Sequence, residues 1–432
     1  MMRKIGIIGG GISGLVAAVL LKKKGFEVTL FEKSDSVGGN IQTVKIDGFL
    51  IEYAPNSLLK SPRLVDLIRE LGLEAEVTAA NAANKKRYVL RDGKLKSLPM
   101  SIAKMAASDY FSLRARLRLL KEPFVRTKSP ENESVTEFFT RRLGGEIVTR
   151  AADPFIAGIY AGKPENLSVR AAFPRLYELE KTHGSLLIGS LFSKAEKADE
   201  DFPRTFSFQN GVQTLTDKLA EKLGASIRLN TEVTKIEKFA DGKFAVWMER
   251  GHSVRNDLNA QKDFSAFSDA ADRVSAFRQE FDALFISTPA ESAAKLIENL
   301  SADLSEQLAN IYYPPIAMVF FGVKKETLGK DLDGFGFLIP SSENRKILGT
   351  IWNSAVFENR APDGYHLLTT FVGGARNAEL FEQSDEELLE IVYRELKDIL
   401  GLREKPDFTH IKRWRKAIPQ YLLGYEKIEQ SI

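Results

Sequence analysis

The pattern of apolar and polar positions is most regular at the start of the chain. Residues 4–8 form a short apolar run, residues 9–14 are rich in glycine, and residues 15–21 are all leucine, valine or alanine. A short apolar run beside glycines is typical of a buried strand, and the longer run is typical of a packed helix. Residues 27–31 form a second short run. The pattern therefore predicts a strand, a glycine turn, a helix and a second strand.

The glycine turn has the spacing of a phosphate-binding loop. Gly9 permits the tight turn, Gly11 allows the backbone to approach a pyrophosphate, and Gly14 allows the helix to lie close to the strand. Ile12 and Ser13 open the helix, where free N–H groups and the positive end of the helix dipole favour phosphate. These residues are predicted to bind a dinucleotide, since an ordinary loop does not explain the elements around them.

The second strand ends in an acidic residue, Glu32. A carboxylate about 20 residues past the glycines suits a ribose hydroxyl rather than a ribose phosphate. Lys33 follows it and is assigned to the same site. The predicted ligand is therefore FAD or NAD and not NADP.

The rest of the chain alternates short apolar runs with helical spacing. A hairpin is predicted over 86–99, with its turn at Asp92-Gly93. Further helices are predicted over 61–73, 216–223 and 385–400, a strand pair over 225–237, and single strands over 281–290, 316–323, 335–339, 346–351 and 366–372. Residues 252–278 are polar and charged without clear strands, so they are predicted to form a mobile insertion.

Composition narrows the class of protein. The chain has 432 residues, 44% of them apolar, which is enough for a large core in two or three domains. A net charge of +3 argues against a dedicated nucleic-acid binder. The absence of cysteine excludes disulfides and thiol chemistry, and the four histidines lack metal-ligand spacing, so no metal site is predicted. No signal peptide or membrane-spanning run is visible, and the expected location is the cytoplasm, free or at a membrane surface.

The stretch after Glu32 indicates the class of protein more specifically. Gly38 and Gly39 precede a strand and a Gly-Phe…Glu…Pro stretch at 48–55, and this arrangement resembles the flavin amine-oxidase superfamily. In that group the paired glycines bring backbone N–H groups to the FAD phosphates and ribose. Asn40 is assigned to the same contact, although the family often has an arginine there, whose charge Asn40 cannot supply. Ala54 stands where the family often has glycine and adds a methyl group.

Later stretches narrow the resemblance to one branch of that superfamily. They are similar to the family of protoporphyrinogen and coproporphyrinogen III oxidases, and they lie at 61–73, 86–99, 153–162, 167–174, 179–185, 206–215 and 413–421. The resemblance implies an FAD-dependent enzyme of haem biosynthesis that oxidises a porphyrinogen to the porphyrin, with O2 as acceptor and H2O2 as product. It leaves open which porphyrinogen is used. Another flavin amine oxidase or desaturase, and a non-catalytic porphyrin-binding relative, are the alternatives.

The resemblance also implies an α/β fold in three parts. A Rossmann-like FAD-binding domain takes residues 1–80, 203–300 and about 412–432. An α+β substrate domain with a mixed or antiparallel sheet takes 81–99, 166–202 and 301–411, and a helical subdomain takes 100–165. The family continues beyond the 413–421 stretch with a segment that covers the flavin, and the sequence ends at Ile432 without it. Either the sequence is truncated or the protein functions without this segment, and on both interpretations weaker binding of FAD is expected.

Further site residues follow from the resemblance. The backbone of Val233 is predicted to contact the adenine, and Thr288 and Trp414 are assigned to the cofactor. Asn56 is predicted to orient the substrate, and the alternative is a turn residue after Pro55. Arg87 is predicted to bind a substrate carboxylate, and the alternative is a surface arginine. No catalytic acid, base or nucleophile is predicted, because the flavin carries the redox chemistry.

One segment has an undecided role. Between 110 and 121, leucines at 113, 117 and 120 alternate with arginine and lysine, which predicts a basic amphipathic helix. Peripheral contact with an anionic membrane is one interpretation, and a solvated basic face over a helical subdomain is the other. Monomer and homodimer both remain open.

Overall fold

The computed structural model describes residues 3–99, 102–192, 201–250 and 277–432. These residues form two compact units. The first consists of Met1–Thr43, Ile68–Leu73 and Val212–Asn310, and the second of Val44–Leu67, Glu74–Gly211 and Ile311–Ile432. The three-part domain division expected from the sequence stays a prediction.

The strands of the described residues are numbered in chain order. They are β1 (Lys4–Ile8), β2 (Glu27–Phe31), β3 (Gln42–Ile46), β4 (Phe49–Ala54), β5 (Leu58–Leu59), β6 (Val77–Ala79), β7 (Tyr88–Arg91), β8 (Lys94–Ser97), β9 (Thr205–Phe208), β10 (Ile227–Arg228), β11 (Thr231–Lys238), β12 (Phe244–Arg250), β13 (Phe277–Phe281), β14 (Ala283–Ile286), β15 (Ile316–Lys324), β16 (Gly336–Leu338), β17 (Ile347–Trp352), β18 (Tyr365–Gly373) and β19 (Phe408–Trp414).

The α-helices of the same residues are numbered in the same way. They are α1 (Ile12–Lys23), α2 (Pro62–Glu70), α3 (Ile102–Ala107), α4 (Leu113–Leu120), α5 (Val135–Arg142), α6 (Gly145–Ile147), α7 (Asp153–Tyr160), α8 (Val169–Ala172), α9 (Pro174–His183), α10 (Leu186–Phe192), α11 (Gln213–Leu223), α12 (Ala290–Ile297), α13 (Ala302–Ala309), α14 (Asn353–Val356), α15 (Asp385–Leu400) and α16 (Tyr425–Ser431). Within the described ranges, none of them combines the length and apolar character that crossing a bilayer requires.

The first unit is built around a parallel sheet. Its strand order is β10-β2-β1-β14, and β1 pairs in parallel with both β2 and β14. Ile7 in β1 is fully buried between Leu30 and Phe285 of the neighbouring strands. Buried parallel strands read as continuous apolar runs. The strand, turn, helix and strand predicted for 4–31 are confirmed.

An antiparallel sheet, β11-β12-β13, completes the first unit. The strand pair predicted over 225–237 corresponds to β10 and β11, but these strands belong to different sheets, since β10 pairs with β2 and β11 pairs with β12. The predicted insertion at 252–278 lies outside the described residues except at its end, where 277 and 278 belong to β13. The predicted end of the insertion at 278 was therefore wrong. Strand β13 contains polar residues that hide its strand character, and its Phe281 is buried against Phe31 at a ring-centroid distance of 5.8 Å.

The second unit is built around a mixed sheet in the order β19-β15-β18-β17-β16-β7-β8. Only the β16–β7 pair is parallel among these pairings. Strand β15 is buried on both sides from Ile316 to Val323. Its odd-numbered residues pack on one face of the sheet and its even-numbered residues on the other. The sheet therefore has two distinct apolar faces.

Helix α15 covers one of those faces. It begins with a capping box between Ser384 and Glu387 and ends at Gly401, which is left-handed with φ of 71°. Its residues Leu388, Val392 and Leu396 are fully buried in the cluster that contains the odd-numbered residues of β15. The helix predicted over 385–400 is confirmed to the residue because both end signals are local.

The helical part of the second unit contains a buried ion pair. The Nη2 atom of Arg142 lies 2.5 Å from Oε1 of Glu122, and both side chains are almost completely inaccessible. Glu122 also accepts hydrogen bonds from the Ser185 hydroxyl at 2.5 Å and the Leu186 N–H at 2.9 Å. Arg142 donates to the carbonyl of Val125 at 2.9 Å. These bonds join the segment after α4 to α5 and α10.

We predict that Arg142→Met lowers the free energy of unfolding by about 3–5 kcal/mol, because it leaves Glu122 buried without its partner. Chemical denaturation followed by circular dichroism measures this loss. The matched control is Lys218→Met in the exposed Lys218–Glu221 pair, where a change of about 0–1 kcal/mol is expected. Equal effects of the two substitutions would contradict the prediction.

Candidate functional site

The glycine turn of the first unit presents open backbone at the start of α1. Gly9 follows β1 with φ of 106°, a conformation that favours glycine. Gly11 is the N-cap residue, and no side chain caps the helix. The first turn of α1 carries no acidic residue. The N–H groups of Ile12 and Ser13 therefore lie at an uncapped helix start, where an anion is favoured.

Two of the glycines have different spatial constraints. A Cβ on Gly14 would overlap the carbonyl oxygen of Gly9 and lie 2.6 Å from Ser287 Oγ. The Ser287 hydroxyl donates to that same Gly9 carbonyl at 2.9 Å. A Cβ on Gly11, in contrast, would meet no atom within 4 Å. Gly14 is thus required for packing, whereas Gly11 leaves open space in front of the helix.

Glu32 lies beside the glycine turn. Its Oε2 atom accepts the Gly10 N–H at 2.6 Å, and its Oε1 atom accepts the Ser34 N–H at 2.9 Å. These bonds hold the carboxylate at the end of β2. Each carboxylate oxygen has a second lone pair, so Glu32 retains the capacity to accept a ribose hydroxyl.

The second glycine pair packs against the first. Gly38 donates to the Gly10 carbonyl at 2.8 Å. Gly39 is left-handed with φ of 59°, and a Cβ there would lie 3.3 Å from Gly11 Cα. Asn40 follows at the surface, as does Lys33 near Glu32. The two glycine pairs are therefore adjacent, as expected of a shared phosphate site.

Val233 and Thr288 lie near the ends of other strands of the first unit. Val233 is 8% exposed in β11, at a register shift that leaves Thr234 unpaired. Thr288 follows β14, and its Oγ1 atom is buried with no hydrogen-bond partner among the described residues. An unpaired buried hydroxyl is costly, by about 1–3 kcal/mol, unless a ligand or water completes it. The open space at Gly11 and this hydroxyl together fit a bound dinucleotide.

Trp414 lies in the second unit, on the sheet face opposite α15. The ammonium of Lys412 lies 4.5 Å from the Trp414 ring centroid and 4.6 Å from that of Tyr53. The Tyr53 hydroxyl is 2.7 Å from Nε2 of His410. Burial lowers the pKa of Lys412 and raises the pKa of Tyr53, while burial and then Lys412 lower the pKa of His410. The sequence analysis identified only one of these four residues, Trp414, and missed Tyr53, His410 and Lys412.

Arg87 and Lys86 have separate roles in the second unit. Lys86 forms an exposed ion pair with Asp333 at 2.5 Å. The Arg87 guanidinium lies over the Phe335 ring at 4.8 Å and donates to the Asn84 carbonyl at 3.1 Å. Burial, and then the charge of Arg204, lower the pKa of Arg87. Among the described residues Arg87 has no carboxylate partner, so its charge remains available for a ligand.

Asn56 belongs to a hydrogen-bonded chain that the sequence did not predict. Its Oδ1 atom accepts from Nδ2 of Asn353 at 2.7 Å, and the Thr369 hydroxyl donates to Oδ1 of Asn353 at 2.7 Å. Asn353 is 5% exposed and Thr369 is fully buried. No local signal identifies these residues, because each is far from Asn56 along the chain.

His183 lies at a helix end. It is the last residue of α9, and Gly184 follows in the left-handed conformation that commonly ends a helix. No group of His, Asp or Glu suited to hold a metal ion occurs within the described ranges.

A parallel sheet with an uncapped helix start after a glycine turn defines a dinucleotide-binding protein. The chain matches the family of flavin containing amine oxidoreductases over residues 12–431, and it belongs to that family. It is therefore an FAD-dependent oxidoreductase, with the predicted fold class and cofactor.

Individual relatives show which branch of the family the chain belongs to. The chain is 34% identical over 456 residues to the mitochondrial protoporphyrinogen oxidase of Nicotiana tabacum, covering 100% of this chain and 87% of that protein. It is 30% identical over 443 residues to the coproporphyrinogen III oxidase of Bacillus subtilis (strain 168), covering 98% and 88%. The crystal structure of a proposed protoporphyrinogen oxidase from Exiguobacterium sp. 255-15 superposes with a TM-score of 0.76 at 23% identity, covering 100% and 90%. The chain thus belongs to the branch of protoporphyrinogen and coproporphyrinogen III oxidases.

We predict that Gly11→Ala folds normally but loses flavin. The added methyl group meets no protein atom, and the extended backbone of Gly11 suits alanine. It would occupy the space that a pyrophosphate needs. Flavin absorbance of the purified protein, or titration of the apoprotein with FAD, measures the loss.

Two further variants serve as comparisons for Gly11→Ala. Gly145→Ala adds a methyl group into similarly open space in the second unit and should keep its flavin. Gly14→Ala should destabilise the fold by overpacking, by about 1–3 kcal/mol or more. Retention of flavin at the wild-type level by Gly11→Ala would remove Gly11 from the site.

Proposed function

We propose that this chain oxidises protoporphyrinogen IX or coproporphyrinogen III to the corresponding porphyrin in haem biosynthesis, with O2 as acceptor and H2O2 as product. The observation that carries the proposal is identity of 30–34% over nearly the whole chain to oxidases of both porphyrinogens.

When bound, FAD supplies the hydride-accepting chemistry. The residues of the first unit would hold it: the N–H groups at Ile12 and Ser13 for the pyrophosphate, Glu32 for a ribose, and the Val233 backbone for the adenine. Gly38, Gly39 and Asn40 would contact the phosphates and ribose as well. The free Thr288 hydroxyl supports this assignment, since bound cofactor would give it a partner.

The second unit would bind the substrate. A porphyrinogen is a large apolar macrocycle with carboxylate arms, so it requires an apolar surface with a few cations at the edge. Arg87 offers a guanidinium that has no carboxylate partner among the described residues. Tyr53 offers aromatic surface on the sheet face opposite α15, where Trp414, which the sequence analysis assigned to the cofactor, also lies. No protein acid or base is assigned to the reaction.

The direct test uses the purified protein loaded with FAD. Colourless porphyrinogen should give fluorescent porphyrin in air, with consumption of O2 and release of H2O2. Boiled protein and FAD alone control for spontaneous oxidation. Flavin-dependent turnover of amines without turnover of either porphyrinogen would refute the proposal, and so would porphyrin binding without turnover.

We predict that Arg87→Ala raises KM for the porphyrinogen by about 10-fold or more, because a hydrogen bond to a charged group contributes about 1.5–3 kcal/mol. Initial rates over a range of substrate concentrations measure the change. Lys86→Ala is the control, since Lys86 is engaged by Asp333 at the surface, and its KM should stay near that of the wild type. An unchanged KM in Arg87→Ala would exclude this arginine from the site.

We propose further that α4 contacts an anionic membrane surface. Ala115 and Leu119 are buried, whereas Leu113, Leu117 and Leu120 are 64%, 50% and 57% exposed. Phe124, one turn further along, is 81% exposed. Four basic residues lie between 114 and 121, three of them within the helix. Exposed apolar side chains among cations are the pattern of an interfacial helix, and such a surface would suit an apolar substrate.

Flotation with vesicles that contain anionic lipid tests this second proposal. Wild-type protein should float at low salt, and the double variant Leu117→Gln, Leu120→Gln should float several-fold less, because apolar burial contributes to interfacial binding. Leu300→Gln, at another exposed leucine, is the control and should behave like the wild type. Absence of wild-type flotation at low salt would leave α4 as a solvated basic face.

A further inference from the structure

The hydrogen-bonded chain Thr369–Asn353–Asn56 joins three separate segments of the second unit. Thr369 lies in β18, Asn353 opens α14 directly after β17, and Asn56 lies between β4 and β5. Both bonds are 2.7 Å long. The chain runs from the fully buried centre of the sheet to a half-buried loop position.

The chemistry of each link sets the orientation of the next. The Thr369 hydroxyl donates to the Asn353 carbonyl oxygen, and among the described residues it has no other side-chain or backbone acceptor. The Asn353 amide nitrogen then donates to the carbonyl oxygen of Asn56. Because the Asn56 oxygen is engaged, its amide nitrogen faces away with two N–H donors. No described residue accepts from that nitrogen.

Burying this hydrogen-bonded chain among apolar residues costs free energy unless each polar group has a partner. In the register of the sheet, Thr369 lies opposite Phe320 on one side and Ile351 on the other. A valine would occupy the same volume without a polar atom, and burying a polar group requires that its hydrogen bonds be completed. The Thr369 hydroxyl is completed only through Asn353. The arrangement fixes the orientation of the Asn56 amide.

We propose that Thr369 and Asn353 are positioning residues that hold the Asn56 side chain as a hydrogen-bond donor to a carboxylate arm of the substrate. This inference rests on the proposed function, since it takes the carboxylate from a porphyrinogen. Asn56 and Arg87 then present only N–H donors. A group with free N–H donors and no free acceptor accommodates an anionic oxygen and offers nothing to a cationic amine, which is itself a donor.

The adjacent residue supplies a matched control. Thr370 is 1% exposed, and its hydroxyl bonds Thr350 at 3.0 Å. It lies opposite Val319, on the sheet face covered by α15. Thr369→Val and Thr370→Val therefore make the same chemical change at neighbouring buried positions, and only the first breaks the link to Asn353.

The first measurement does not depend on substrate. In protein labelled with ¹⁵N-asparagine, the Asn56 side-chain amide signal, assigned by its loss in Asn56→Ser, should shift in Thr369→Val. It should stay in place in Thr370→Val and return in Thr369→Ser, which restores the hydroxyl. An Asn56 signal that is equally unaffected by Thr369→Val and Thr370→Val would overturn the positioning role.

The second measurement concerns the substrate. Thr369→Val should raise KM for the porphyrinogen by about 3- to 10-fold, the value of one ordinary hydrogen bond, with little change in kcat. The Kd of the porphyrin product, from fluorescence titration, should rise in parallel. Thr370→Val should leave both constants unchanged, and Thr369→Ser should restore them.

The outcomes separate the two levels of inference. If the Asn56 signal moves but KM and Kd in Thr369→Val equal those of Thr370→Val, the carboxylate contact is refuted. If Thr369→Val fails to fold, Asn353→Asp answers the same question, since its carboxylate cannot donate to Asn56 and must turn that amide around. A wild-type protein that neither oxidises nor binds a porphyrin refutes the proposed function, and the amide signal still decides the positioning role.

Discussion

The first unit depends on the contact between backbone and backbone at its glycine turn. Helix α1 approaches β1 so closely that Gly14 has no room for a Cβ against the Gly9 carbonyl, and Ser287 bonds that carbonyl from the end of β14. Because β1 pairs in parallel with both β2 and β14, the carboxyl ends of three strands meet there. This brings the helix N–H groups, Glu32 and Thr288 to one edge of the sheet.

The second unit uses the two faces of its sheet differently. One face is closed by α15 with leucine and valine side chains, and its polar pair Thr350–Thr370 is complete in itself. The other face carries Tyr53, His410, Lys412 and Trp414 together with the chain that ends at Asn56. The alternation of side chains along a strand makes this division possible, since Thr370 of β18 faces α15 whereas its neighbour Thr369 bonds Asn353 on the opposite face.

Local signals explain how far the sequence alone could predict the structure. The strand at 4–8, the strand at 27–31 and the helix at 385–400 have the predicted bounds, because periodicity, glycine and caps lie within each segment. Helix α11 begins at Gln213, three residues before its predicted start, since no capping side chain marks it. Asn353 and Arg204 could not be predicted as neighbours of Asn56 and Arg87, because each is more than a hundred positions away along the chain, and Thr369 is linked to Asn56 only through Asn353. The buried Arg142–Glu122 pair could not be predicted for a different reason. Charged residues in an amphipathic segment are expected to be exposed to solvent, whereas both of these side chains are buried in the structure.

Charge and hydrogen-bond polarity at Arg87 and Asn56 support the proposed carboxylate-bearing substrate over an amine. Arg87 is half-buried over an aromatic ring, and its pKa is lowered by burial and then by repulsion from the charge of Arg204. Adding a cationic amine would increase that repulsion, whereas a carboxylate would relieve it and accept hydrogen bonds from the guanidinium. The Asn56 amide has its oxygen already engaged, so it contributes donors and no acceptor. The repulsion and the donor pattern arise from different segments of the chain, and both favour an anion. The charge at Arg87 and the donor pattern at Asn56 therefore support the proposed porphyrinogen substrate rather than an amine.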